Sequence, residues 1–193
     1  MYRLLLILLA VVGMATATSA QQKQSMNKVQ SNHKILIAFF SATGTTARAA
    51  EKLANITGGE IYTIVPTQPY TSADLDWNDK QSRSSVEMND SKSRPAIKGR
   101  KENIADYDVI FIGYPIWWNL APRIINTFIE SHDLKGKTII LFATSGGSSI
   151  ANSVKTLKST YPELNWKGGK LLNKTNKDII RAWIESINKT INH

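Results

Sequence analysis

The chain has 193 residues, enough for one domain with its own core, and 42% of them are hydrophobic. It has no cysteine, which excludes disulfides, thiolate metal ligands, a cysteine nucleophile and a lipid-bearing cysteine anchor. Lys and Arg outnumber Asp and Glu by 24 to 15, but the lysines are scattered, without the basic helix or aromatic–basic ladder of a nucleic-acid binder.

The chain starts with Arg3, then an apolar run from Leu4 to Ala15, then small residues through Ala20. This is the pattern of a secretory signal over residues 1–20, with cleavage after Ala17 or Ala20. The alternative is an uncleaved anchor, but the run falls short of the ~20 residues that span a bilayer. The expectation is an exported protein, periplasmic or secreted, with no stable membrane span once the signal is removed. Removal would take away only Arg3, leaving 23 basic and 15 acidic side chains and a charge of +8. Residues 21–33 read as a polar tail, and the working domain as 34–193.

From there strand and helix patterns alternate. Ile35–Phe40, Val109–Tyr114 and Thr138–Ala143 are apolar on both faces, as suits central strands of a parallel sheet. Ile61–Val65 and a short Lys170–Leu172 complete five strands. Ala47, Ala50, Leu53 and Ala54 share a helix face that ends at Gly58-Gly59. Pro122 opens a helix buried through Ile124, Ile125, Phe128 and Ile129. Ile150, Val154 and Leu157 mark another helix; Ile179, Ile180, Trp183, Ile184 and Ile187 mark the last. The fold expected is α/β: a doubly wound five-stranded parallel sheet, order 2-1-3-4-5, with helices on both faces. Pro66–Asn103 is long for a connection. It is read as a helix from about Ser72 to Asp90 lying on a sheet face, then a surface loop to Gly99.

Ligands in such sheets bind beyond the carboxyl ends of the central strands. Three unusual loops fall there. Ser41-Ala42-Thr43-Gly44-Thr45-Thr46 precedes a helix; its amides, Gly44 and four hydroxyls suit a phosphate without using a cation. It reads equally as a plain Ser/Thr helix cap. Pro115-Ile116-Trp117-Trp118-Asn119 carries two adjacent tryptophans. One is expected to pack inward and one, Trp117 by preference, to stack on a flat ring. Thr144-Ser145-Gly146-Gly147-Ser148 could lay its amides on a polar ring edge, or be a turn capped by Ser148 or Ser149.

On these three loops together the chain resembles the flavodoxins from about Lys34 onward. Their phosphate-loop form is matched by Ser41, Thr43, Gly44 and Thr46, their aromatic loop by Pro115–Asn119 and their third loop by Thr144–Ser148. The resemblance implies non-covalently bound FMN, with its ring near Trp117 or Trp118, and electron transfer. A subgroup with a Leu-Asp-Trp segment is also matched, by Leu75-Asp76-Trp77; Tyr70 at its start is a further ligand contact to test. The basic charge departs from acidic flavodoxins, favours the reduced anionic flavin and implies a less negative potential. An acidic redox partner would complement it; a small-molecule acceptor is the other option. His33, His132 and His193 form no acid–base set, no metal cluster is visible, and no catalytic residue is assigned. His132 is read as a surface residue whose cation suits a helix C-terminus. The alternatives are an FMN-dependent NAD(P)H oxidoreductase reducing a quinone or similar acceptor, and a flavin-free interaction module. In the first, the Pro66–Asn103 insertion would wall a second ligand site or block it.

Overall fold

Strands apolar on both faces demand a layer of helices on each side, and that is how the chain folds. The computed structural model describes residues 33–173 and 176–191. The expected signal segment lies outside them, and among them no helix is long and apolar enough to cross a membrane. Five parallel strands run β1 (Ile35–Phe39), β2 (Glu60–Thr63), β3 (Val109–Pro115), β4 (Thr138–Thr144) and β5 (Asn165–Leu171), in the order β2-β1-β3-β4-β5. The helices are α1 (Thr45–Thr57), α2 (Arg83–Asn89), α3 (Arg123–Glu130), α4 (Ala151–Thr160) and α5 (Lys177–Ile191), with a 3₁₀ turn at Ile104–Asp106.

Alternation along the strands makes two cores. Leu36, Ala38, Ile110, Ile112, Ile139 and Leu141 face α3 and α4, where Ile124, Ile125 and Phe128 are fully buried. Ile35, Ile37, Phe111, Ile140 and Phe142 face α1 and α5, against Leu53, Ile180 and Ile184. Each fully buried aliphatic or Phe side chain contributes about 1.5–3 kcal/mol. Gly113 in β3 leaves the space that the Phe142 ring fills; a Cβ there would lie 2.0 Å from Phe142 Cζ. Gly58 ends α1 at φ 73°, donating to the Ala54 carbonyl as a left-handed cap does.

Several expectations need correcting. The strand expected over Ile61–Val65 is Glu60–Thr63, at the sheet edge with Ile61 exposed, and Ile179 stands off the buried face of α5. β5 begins at Asn165, earlier than the Lys170–Leu172 read from apolarity, because its two glycines and alternating polar residues hide an irregular edge register. The helix expected over Ser72–Asp90 is only Arg83–Asn89. Before it, Thr71, Asp74, Asp76 and Asp79 bond nearby backbone amides and hold a series of turns instead. Ser82 then caps α2 by accepting from Ser85 N.

The loop expected over Asp90–Gly99 is also partly ordered into the sheet's margin. Thr67 N donates to Ala96 O and Lys98 N to Val65 O, pairing Pro66 with Ile97 at the insertion's neck. Arg94 reaches Glu130 of α3 at 2.7 Å, and Glu130 also accepts from Tyr161 OH at 2.6 Å. The Arg94 guanidinium holds the Glu130 carboxyl below the usual carboxylate range, and burial pushes the Tyr161 phenol up to about 12.

His132 corrects a further reading. It is half-buried and packed at a tilt against Phe128, 4.5 Å between ring centres and 43° between ring planes. Its Nδ1 lies 2.8 Å from Phe128 O and donates to it, while Nε2 accepts from Lys101 N at 2.9 Å. Both bonds suit the neutral ring; a proton on Nε2 would face the Lys101 N–H. Burial accordingly lowers its pKa from the usual 6.5. Since the folded state binds that proton less readily than the unfolded chain, stability rests in full above about pH 6.5 and falls below it. His132→Gln should therefore shrink the loss of thermal midpoint between pH 7.5 and pH 5.5, read by circular dichroism. An undiminished loss would place the acid sensitivity elsewhere.

Candidate functional site

The Ser41–Thr46 loop leaves β1 and enters α1 through Gly44, at φ 83° and ψ −10°, a left-handed conformation glycine adopts without strain. No described side chain caps this helix, which removes the plain-cap reading. Its first-turn amides point into the loop with the positive end of the helix dipole. The Ser41 hydroxyl is buried and has no hydrogen-bond partner among the described residues, a costly state for a polar group unless a ligand satisfies it. Thr43 and Thr45 are exposed. Thr46 differs: it is buried, and its hydroxyl bonds that of Thr144 at 2.8 Å, joining the first loop to the third.

The loop is not free of cations, as its own residues implied. Arg48, one turn into α1, donates from Nη2 to Thr45 Oγ1 at 3.2 Å. Its Nη1 lies 3.4 Å from where a Cβ on Gly44 would stand. The i, i+3 spacing from Thr45 was the available signal. The guanidinium sits where an anion at the helix start would meet it.

The second loop turns back on itself. Trp117 and Leu120 exchange backbone hydrogen bonds, and Trp118 and Asn119 between them both have positive φ, 44° and 63°. This is the pattern of a type I′ turn, with a tryptophan where Asn or Gly is usual. Trp117 packs edge-on against Phe40 at 5.6 Å and Tyr70 at 5.3 Å. Trp118 is 44% exposed. The inward tryptophan is thus Trp117, the one expected to stack, and the strained Trp118 is the one held outward. Tyr70 sits beneath the loop, under the Arg83 guanidinium at 4.1 Å, and its hydroxyl donates to Glu87.

The third loop is a self-bonded turn. Ser145 Oγ accepts from Gly147 N and Ser148 N, and Ser145 exchanges two bonds with the Asn173 side chain. Neither Ser148 nor Ser149 caps α4. The amides expected to meet a ring edge are engaged within the protein at these positions. Asn152, in α4, donates to Asn119 O and links the second loop to this side.

A cavity of about 380 Å³ opens between the first loop, the second loop and the insertion, lined by Ala42, Thr43, Pro115 and Ile116, both loop tryptophans, Leu75, Trp77 and Ser84. Leu75, Trp77 and Ser84 are its contribution from the insertion; only the Leu-Asp-Trp motif marked two of them in the sequence. Among the described residues this wall takes nothing from Thr144–Ser148. A wider open groove of about 600 Å³ lies between α4 and β5, lined by Val154, Lys155 and Gly169 among others. It lacks the first and second loops, so we take the convergent loops as the site. Among the described residues no His, Cys, Asp or Glu group is placed to hold a metal.

A family model described as Flavodoxin matches residues 34–187. A candidate flavoprotein from Bacteroides eggerthii DSM 20697, solved by crystallography, is 72% identical, with 81% of this chain and 98% of that chain covered and a TM-score of 0.80. A second, from Bacteroides uniformis ATCC 8492, is 59% identical over 80% and 99%, with a TM-score of 0.78. A flavoprotein from Lactobacillus acidophilus NCFM, crystallised in complex with FMN, shares the fold: 24% identity, coverage of 72% and 93%, TM-score 0.60. The search of curated proteins gave no match.

The two loop tryptophans should separate in stability measurements. Trp117→Ala should cost about 2–4 kcal/mol, toward the lower end of aromatic core truncations because it is only part buried. Trp118→Ala should cost less than about 1 kcal/mol, as an exposed position does. Urea unfolding of the ligand-free protein reads both; equal losses would contradict the packing of Trp117.

Proposed function

This chain belongs to the flavodoxin family, and we propose that it binds FMN non-covalently and works in electron transfer. The observation that carries this is the start of α1. It opens on a left-handed glycine, has no described side-chain cap, and faces a buried Ser41 hydroxyl with no described partner. Those groups fit a phosphate ester. The FMN bound to the Lactobacillus relative is consistent with this reading.

When bound, FMN supplies one- and two-electron redox chemistry. The chain's own residues do the rest. The first-turn amides, Ser41, Thr43, Thr45 and Gly44 hold the phosphate, with Ala42 and Thr46 shaping the loop. Arg48 adds a positive charge from the helix side. Trp118, backed by Pro115, Ile116, Trp117 and Asn119, offers the exposed aromatic face for the flavin ring. Thr144, Ser145, Gly146, Gly147 and Ser148 flank the site on the β4 side without lining the cavity, and Thr144 braces the first loop through the Thr46 hydroxyl. No side chain is asked to move a proton. We further propose export, from the residue 1–20 pattern, and a partner with an acidic surface, from the basic charge.

The first test is the visible spectrum of the purified protein and its titration with FMN. A colourless preparation that takes up no added FMN would overturn the reading. The second is Arg48→Gln, which should weaken FMN binding about three- to tenfold, the effect of ~1 kcal/mol from an exposed charge. Riboflavin, which lacks the phosphate, should bind the variant and the parent alike. Equal losses for both ligands would remove Arg48 from the phosphate site. Rapid direct oxidation of NADPH would mark an oxidoreductase rather than a carrier.

A further inference from the structure

We infer that the groove between α4 and the edge strand β5 takes an extended, acidic peptide segment of a partner protein as an added strand. This gives the acidic partner proposed above a surface. It rests on that part of the reading and not on FMN binding.

The first ground is where the charge sits. Residues 34–147 hold 13 basic and 12 acidic side chains. From Ser148 to Asn173 the chain carries Lys155, Lys158, Lys167 and Lys170 against Glu163 alone. Elsewhere Lys34, Arg83, Arg94, Lys101 and Arg181 are paired with carboxylates; among the described residues none of these four lysines is. Lys155 and Lys158 stand exposed on the α4 wall of the groove. A cluster of one sign in a concave surface draws a ligand of the other.

The second ground is the strand itself. β5 ends the sheet order and is paired on one side only, with β4. Gly168 and Gly169 strip side chains from its middle. A Cβ on Gly168 would meet nothing within 4 Å, and one on Gly169 would lie 3.0 Å from Ile150 Cδ1, at the groove floor. Glycines inside a strand mark a place where another backbone can come close. Ile150, Ala151 and Val154 give the open trough, about 600 Å³, its apolar lining. Strand addition uses both features: the main chain bonds the edge, and alternate side chains fill the lining.

The lysines choose the guest. A second copy would bring the same cations to the same edge, and the register shift in β5 adds to that resistance. An acidic strand meets the opposite. Gly169 lies opposite Leu141 on the α4 face, and Lys170 opposite Phe142 on the α5 face. Carboxylates on one face of the guest therefore reach Lys155 and Lys158, and those on the other reach Lys170. A single-stranded nucleic acid would want a free aromatic platform. Trp166 of β5 is instead packed on the first core, its Nε1 donating to Tyr161 O at 2.8 Å. A flat anionic membrane would leave the concave floor uncovered.

The probe is the fluorescein-tagged peptide Glu-Glu-Val-Thr-Val-Thr-Val-Glu-Glu, titrated at low ionic strength with the full protein, both FMN-saturated and as purified, and read by anisotropy. We expect saturable binding and shifts of the Gly168 and Gly169 amide signals by NMR. Changing Lys155→Gln and Lys158→Gln together should raise the dissociation constant about three- to tenfold, as the loss of two exposed charge pairs does. Ala151→Glu should weaken binding at least as much while leaving the thermal midpoint unchanged or higher, since an acid suits the first turn of a helix. The same peptide with proline for its threonines keeps the charge but loses backbone donors, and should bind more weakly. No saturable binding would overturn the inference. So would equal binding of the proline peptide or of one with Lys for Glu, or unchanged affinity in both protein variants. Capture by phosphatidylglycerol vesicles without peptide binding would make the face a membrane contact and overturn it too. FMN binding is read separately, by absorbance, so its failure leaves the peptide titration intact.

Discussion

Phe39, Gly113 and Phe142 stand in register across β1, β3 and β4, and that alignment decides where the chain can go next. Three neighbouring parallel strands whose ends fall within two residues of one another release their loops side by side. The register is locked by packing as well as by the ladder. Gly113 yields its side-chain space to the Phe142 ring, so neither strand can slip without an overlap or a void. Past the strand ends the alignment continues in single bonds: Phe40 N to Gly113 O, and Ile116 N to Thr144 O. The Thr46–Thr144 hydroxyl pair then joins residues 98 positions apart in sequence. The first and third loops are thereby positioned by the sheet rather than by each other's flexibility.

On that platform the site divides its labour by polarity. The β1 side is donor-rich: helix amides, hydroxyls and the Arg48 guanidinium gather at Gly44. The insertion side is apolar, with indoles and one buried hydroxyl. The tryptophan loop lies on the boundary. Its I′ turn forces Trp118 into a left-handed backbone that a bulky residue rarely adopts, and the strain keeps the ring out of the core that Trp117 fills.

Much of this was legible in the sequence, for a physical reason. Strands buried on both faces write themselves as unbroken apolar runs, so β1, β3 and β4 could be placed closely, and with them the three loops. Edge elements write weaker signals. β5 mixes Trp166 with Lys167, Gly168 and Gly169, and only its last residues read as strand. The insertion misled because Ser, Thr and Asp favour turns and helix starts alike; which one wins at Thr71–Asp79 depends on local side-chain bonds. The choice between Trp117 and Trp118 turned on a two-residue turn geometry that composition does not encode. His132 looked like a surface cation because the partner of its Nε2, Lys101 N, comes from tertiary packing 31 residues away in sequence. Arg48 was in plain view but its direction was not.

The paired neck at Pro66–Ile97 has one more consequence. The chain leaves the sheet's margin and returns to it at adjacent points, and the Tyr70–Glu87–Arg83 cluster is bonded largely within the excursion. The excursion is thus a local outgrowth anchored at few points: at its neck, through Arg94 to Glu130, through Arg123 to Met88 O and through Tyr70 on Phe40 and Trp117. A change in its exposed residues alters the rim of the site, while the strand ladder and the helix start at Gly44 keep their own bonds.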